Sequence, residues 1–197
     1  MNQKLEIIKQ NVIECTKCDL CKTRINSVPG KGNFHSDVIF VGEAPGKNED
    51  ENGEPFIGIA GKKLSIALEE AGIARDEVYI TNIVKCRPPK NRVPTTMERE
   101  TCQEYLKQEF TIIKPKIICI LGNTAFNSLL GGSEITKFRG KIVLKDKQLY
   151  FLTVHPAATI YNQELIKVLN KDILKLFDLI TELKNNKEIQ IDIDYTT

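Results

Sequence analysis

Two sets of residues in this chain have the types and spacing to do chemistry. The first is a group of cysteines. Cys15, Cys18 and Cys21 form C-x2-C-x2-C, and Cys86 and Cys102 form a wider pair with fifteen residues between them. Thiolates bind zinc and iron–sulphur clusters, and a four-cysteine set serves either. With no export signal in the chain, such spacing points to a metal rather than to disulfides. Cys15, Cys18, Cys86 and Cys102 supply four thiolates from two distant stretches, with Cys21 as a competing ligand. The proline-rich segment inside the second pair is unusual for a zinc ribbon and leans toward a cluster. Cys119 lies within the apolar run 116–121 and reads as a small hydrophobe of a buried strand.

The second set is Glu43, Asn82 and His155, each delivered by the end of an apolar run. Each type has an ordinary use: Glu43 as a helix cap, Asn82 in a turn, His155-Pro156 in a loop. Together they say more, because the carboxyl ends of parallel strands converge on one crevice. A carboxylate, an amide and an imidazole there, with Phe56 nearby, suit the grip on a planar heterocycle. The ring of Phe56 can stack on it, the amide can read donor and acceptor edges, and the imidazole can donate to a developing oxyanion.

The elements that must position these residues read as alternating strands and helices. Val38 to Val41 is a buried strand, closed by the sharp turn Gly42-Glu43-Ala44-Pro45-Gly46 and an acidic patch at Glu49, Asp50 and Glu51. A helical pattern covers 62–71 and ends at Gly72. Residues 77–84 and 116–121 are two further strands, and 142–144 with 149–153 form a β pair. Thr95 or Thr96 caps a helix running to about Ile112. Residues 2–14 and 163–184 are the first and last helices, and 123–130 a short one. The tail from Asn185 is polar and expected to be loose. This alternation implies a mostly parallel sheet covered on both faces, in one domain spanning 1–197.

The bulk composition is that of an ordinary globular protein, 41% hydrophobic and 27% charged, which rules out a disordered or fibrous chain. No apolar run reaches the length of a membrane span and the N-terminus has no signal-peptide core, so a cytoplasmic protein with no membrane partner is expected. A net charge of +2 is too small to announce nucleic-acid binding, so any basic footprint must be local.

Three stretches, GEAPGKNEDENGEPFIGIAG, ITNIVKCRPPKNRVPT and the HPAA of 155–158, together with the four cysteines, resemble in order and spacing the family 4 uracil-DNA glycosylases, the iron–sulphur type. The likeness runs from Cys15 to Asp178. It implies a three-layer α/β/α sandwich around a central four-stranded parallel sheet. It implies a structural 4Fe-4S cluster on Cys15, Cys18, Cys86 and Cys102, with Cys21 a bystander. The reaction implied is hydrolysis of the N-glycosidic bond of a flipped deoxyuridine in single- or double-stranded DNA, by a monomer, in base excision repair.

The same resemblance distributes roles. Gly42, Glu43, Ala44, Glu49, Phe56, Asn82 and His155 would bind uracil, with Phe56 stacking, Asn82 reading O4 and N3, and His155 donating to O2. Ala44 stands where other superfamily members carry a water-orienting Asp, which leaves Glu43 as the carboxylate nearest the chemistry and Glu49 or Asp50 behind it. The 46–49 backbone and Glu49 would crowd out thymine at C5. Ala157, Ala158, Ile160 and Tyr161 would meet the minor groove, Ile160 or Tyr161 as an apolar wedge. Lys85, Arg87, Lys90, Arg92 and Arg139 are the candidate phosphate contacts. The tail near 190–197 makes a poor match to a sliding-clamp peptide. Two other readings stand beside this one: a non-catalytic metalloprotein binding nucleic acid through residues 85–92, and a phosphate-binding enzyme. Glu43 and the acidic run 49–51 weigh against the second of these, as does the lack of a Lys-Ser/Thr after the glycines.

Overall fold

The structure is a computed structural model that describes residues 3–195. Seven strands form one sheet: β1 (Lys31–Gly32), β2 (Val38–Gly42), β3 (Tyr79–Asn82), β4 (Ile117–Leu121), β5 (Ile142–Lys145), β6 (Gln148–Thr153) and β7 (Ile193–Asp194). The helices are α1 (Gln3–Ile13), α2 (Lys47–Asn52), α3 (Ile59–Glu70), α4 (Thr96–Ile113), α5 (Asn123–Leu130), α6 (Ile135–Phe138), α7 (Ala158–Tyr161) and α8 (Glu164–Lys184).

The sheet order is β1-β3-β2-β4-β6-β5-β7, and its centre, β3-β2-β4-β6, is wholly parallel. That is the four-stranded parallel core the resemblance implies, set within a wider sheet. Strands β1 and β5 flank it antiparallel, and β7 lies outside β5. Every residue of β2, β3 and β4 is buried, which is why β2 and β4 read as continuous apolar runs. Alternate residues serve opposite faces. Ile39, Val41, Ile118 and Ile120 pack under α1, α4 and α5, while Val38, Phe40, Ile117 and Cys119 pack under α3 and α8. Three layers result. Because the chain runs from β2 out to β3 and then back past β2 to β4, the strand order reverses beside β2. A crevice opens at the carboxyl ends there.

Several boundaries differ from those expected. The strand over 77–84 stops at Asn82, because Ile83 and Val84 turn their N–H groups to the carbonyls of Gly42 and Glu43. The acidic patch at 49–51 is the short helix α2, with Glu49 closing its first turn onto Gly46. The first helix covers Gln3–Ile13, and the expectation that it includes Asn2 lies outside the described residues. The loose tail is a correction. Ile193 and Asp194 pair with Val143 and Leu144, and Ile189 and Ile193 pack on the two cores. Only two residues of this polar stretch pair with the sheet, too few for a strand pattern to show in the sequence. Thr196 and Thr197 lie outside the described residues. No helix of the described residues is long and apolar enough to cross a membrane.

Candidate active site

Glu43, Ala44, Gly46, Glu49, Phe56, Asn82, His155 and Ala157 line one cavity of about 190 Å³, with Pro88, Asn91 and Arg92 on its rim. The strand ends thus bring together the second set of residues singled out from the sequence. A cavity of about 160 Å³ between α4 and α5 holds none of them.

Gly42 ends β2 where two side chains need its space. A Cβ there would stand 2.5 Å from the Phe56 ring and 2.6 Å from Asn82 Oδ1. Phe56 is buried and adopts a left-handed backbone conformation, φ 53°, an uncommon state for a bulky residue that concentrates at functional sites. Its carbonyl lies so close to Gly61 in the first turn of α3 that no side chain fits at that position. The Phe56 and His155 ring centroids are 5.7 Å apart. Asn82 is buried, and its Oδ1 has no hydrogen-bond partner. An orphaned buried acceptor costs about 1–3 kcal/mol unless a ligand meets it.

His155 lies just beyond β6 and packs against Gly122, where a Cβ would come within 2.7 Å of the His155 Cβ and whose φ of 87° suits glycine. The Ala157 N–H donates to Nδ1 at 3.1 Å, so the neutral ring carries its proton on Nε2. Burial pushes the imidazole pKa down from 6.5 to about 4. His155 is therefore a neutral donor at physiological pH.

Glu43 accepts a hydrogen bond from the Thr124 hydroxyl. Nothing in the sequence reading singles out Thr124, although it sits just past the end of β4, the one parallel strand whose terminus carries no other candidate. Glu49 lines the cavity but is tied down: Oε2 accepts from the Gly46 N–H at 3.1 Å and Oε1 from the Gly58 N–H at 2.7 Å. Asp50 is likewise committed, accepting from the N–H groups of Ile25 and Asn26. These two carboxylates brace the loop, whereas Glu43 lines the cavity and accepts its one side-chain hydrogen bond from Thr124.

One candidate phosphate contact is corrected. Lys85 is 1% exposed and paired with Glu109 at 2.8 Å, because its side chain turns beneath the sheet rather than outward. Arg139 is forked onto the buried Asp172. Arg87 and Arg92 lie in the loop before α4, held by Asn91 and Asp50 and by Glu98 respectively, while Lys90 is exposed. Ala157 and Ala158 lead into α7, which presents Ile160 and Tyr161 at 40% and 91% exposure.

Cys15, Cys18, Cys21, Cys86 and Cys102 all border one narrow gap between α1, the 15–24 segment and α4. Arg24 Nη1 donates to Cys86 Sγ at 2.9 Å and the Lys85 N–H to Cys102 Sγ at 3.3 Å, contacts that favour sulphur bearing negative charge. Burial raises both thiols, Cys102 to about 12, with Arg24 working against the rise at Cys86 and Lys85 at Cys102. Among the described residues no three His, Cys, Asp or Glu side chains are grouped tightly enough for a single metal ion. Cys119 is fully buried in β4, as expected.

The model of a family described as the uracil DNA glycosylase superfamily matches residues 29–177. The chain is 46% identical over 185 residues to a type-4 uracil-DNA glycosylase of Sulfurisphaera tokodaii, covering 89% of this chain and 84% of that one. It is 42% identical over 198 residues to the protein of the same name from Saccharolobus solfataricus, covering 95% and 90%. With that of Archaeoglobus fulgidus it shares 41% over 186 residues, covering 90% and 94%.

Proposed function

The chain belongs to the uracil DNA glycosylase superfamily, and from that premise we infer that it turns deoxyuridine out of DNA and hydrolyses its N-glycosidic bond. The products are free uracil and an abasic site. We take residues 1–197 as one such domain, acting as a monomer in the cytoplasm.

The orphaned Oδ1 of Asn82 carries the reading of the pocket. Uracil offers an N3–H donor to that oxygen and an O4 acceptor to the amide nitrogen. Cytosine would set its 4-amino group against the amide donor and its bare N3 against Oδ1, so it is refused at both positions. Stacking on Phe56 contributes about 1–3 kcal/mol, which offsets part of the cost of unstacking the base. Glu49 and the 46–49 backbone occupy the C5 side and exclude a methyl group. His155 Nε2–H donates to O2, where negative charge collects as the glycosidic bond lengthens, and as a neutral donor it stabilises the departing uracil anion by a hydrogen bond rather than by proton transfer. Glu43, anchored by Thr124, stabilises the sugar cation and holds the attacking water. With Ala44 in place of a water-orienting Asp, the bond breaks largely before the water arrives.

Cys15, Cys18, Cys86 and Cys102 would hold a 4Fe-4S cluster, with Cys21 at its edge. The donor set suits such a group: the cysteines border one gap, and two N–H donors already face the sulphurs of Cys86 and Cys102. The cluster would tie residues 15–21 to residues 86–102 and so brace the basic loop. Lys90, Arg87 and Arg92 approach the backbone of the DNA, and Tyr161 with Ile160 fills the gap left by the flipped base.

Incubation of the protein with a uracil-containing oligonucleotide in excess EDTA, then alkali, should cut the strand at uracil alone. Intact DNA from protein that absorbs near 400 nm would move the weight to a binding module.

A further inference from the structure

Lys85 and Glu109 form an ion pair in which each side chain is 1% exposed, at a place where apolar residues could fill the same space. Replacing such a pair by hydrophobic groups is often neutral or stabilising, so burial of both charges calls for a reason other than stability. We propose that the Lys85–Glu109 pair is a positioning device for Asn82, fixing the amide that reads the base.

The hydrogen bonds run to that end. The ammonium has three donors and each has an acceptor: Glu109 Oε2, Thr81 Oγ1 and, at 3.2 Å, the backbone carbonyl of Asn82 itself. Thr81 Oγ1 in turn donates to Glu109 Oε2 at 3.0 Å, and Tyr79 donates to Glu109 Oε1 at 3.2 Å. Glu109 on α4 thereby grips β3 at Tyr79 and Thr81, and Lys85 closes the ring onto the last residue of the strand. The position is one that needs a clamp. The chain leaves the sheet after Asn82, and Ile83 and Val84 have already turned to the carbonyls of Gly42 and Glu43. A methionine at 85 would fill the volume and leave the Asn82 carbonyl without its donor. The orphaned Oδ1 tolerates little drift, since Gly42 and the Phe56 ring bound it closely.

This inference rests on the reading that Asn82 holds the uracil edge. The test is Lys85→Met with Glu109→Gln, which removes both charges, keeps the shapes and leaves acceptors for Tyr79 and Gly30. The pair of substitutions is made in the wild-type and Asn82→Ala backgrounds, with thermal melting to confirm folding. In the wild-type background we expect kcat for uracil release to fall about 10–100-fold with KM for DNA unchanged. In the Asn82→Ala background the same substitutions should cost less than about twofold, because the residue they position is gone. A wild-type kcat for the substituted protein, or an equal loss in both backgrounds, would overturn the positioning role. Should the substituted protein not fold, Thr81→Val in the same two backgrounds decides by the same criterion. A wild-type protein that releases no uracil would instead overturn the glycosylase reading, and the positioning role with it.

Discussion

The Ala157 N–H leaves His155 one tautomer, and burial leaves it one charge state. Both matter to the rate. A cationic imidazole would bind a uracil anion more strongly but would cost free energy to form in this pocket at neutral pH. A neutral donor is available without that cost. Since the folded pKa of about 4 lies below the unfolded value of 6.5, the unfolded chain takes up this proton first as pH falls. The stability linked to His155 is therefore fully present above pH 6.5 and is lost progressively toward pH 4, by at most about 3 kcal/mol. The rate should track the folded value. We expect single-turnover uracil release to show no titration near pH 6.5 and to change only as pH approaches 4. A half-maximal point at 6.5 would mean that the ring is solvated and its tautomer free. His155→Ala should slow release about 10²–10³-fold while leaving DNA affinity intact.

At the scale of elements, each of the two strands that deliver the reading residues is tied to a covering helix by a buried carboxylate. Glu109 of α4 serves β3, and Asp172 of α8 serves β6. Asp172 accepts the fork of Arg139 and, at 2.7 Å, the hydroxyl of Thr153, two residues before His155. Asp172→Ala would strand a partly buried guanidinium and a fully buried hydroxyl. Because Arg139 keeps some access to water, the loss should sit at the low end for a broken buried pair, about 3 kcal/mol in urea unfolding. An effect within 0.5 kcal/mol, roughly that of a surface substitution, would show that the fork contributes nothing net. Neither clamp is legible in the sequence. Lys85, just ahead of the basic loop, and Arg139, in a turn, read as phosphate contacts, and their partners lie 24 and 33 positions away, on other elements. Glu43, Asn82 and His155 are legible because parallel strands project their ends to one side. The apolar runs and the loops just beyond them therefore suffice to place those residues. The short helix α2 and strand β7 are hidden for a related reason. Both elements are too short for a periodic pattern to emerge, and α2 buries two carboxylates, Glu49 and Asp50, where a sequence pattern leads one to expect apolar residues.

For the whole molecule, a net charge of +2 leaves DNA binding to a few local cations. The stretch from Cys86 to Cys102 is where they gather, and it joins the cysteine gap to the rim of the pocket. Arg87 and Arg92 face opposing groups already in hand, Asp50 and Asn91 for the first and Glu98 for the second. Lys90 is exposed, and its left-handed backbone, φ 55°, pushes it out beside Asn91 on the rim. We therefore expect these two arginines to act chiefly as braces and Lys90 to be the main phosphate contact. Few neutralised phosphates mean a shallow dependence of affinity on salt, since each releases about 0.9 of a counterion from duplex DNA. We expect a slope of log Kd against log salt of roughly 1–2, and Lys90→Ala to lower it by about one. The loss of affinity should be equal on uracil-containing and uracil-free duplexes, with the single-turnover rate at saturating protein unchanged. An unaltered slope for Lys90→Ala would transfer the phosphate contacts to Arg87 and Arg92. The ion pair with Glu98 would then have to open on binding, and the loop before α4 would be a moving part of the enzyme rather than a fixed rim.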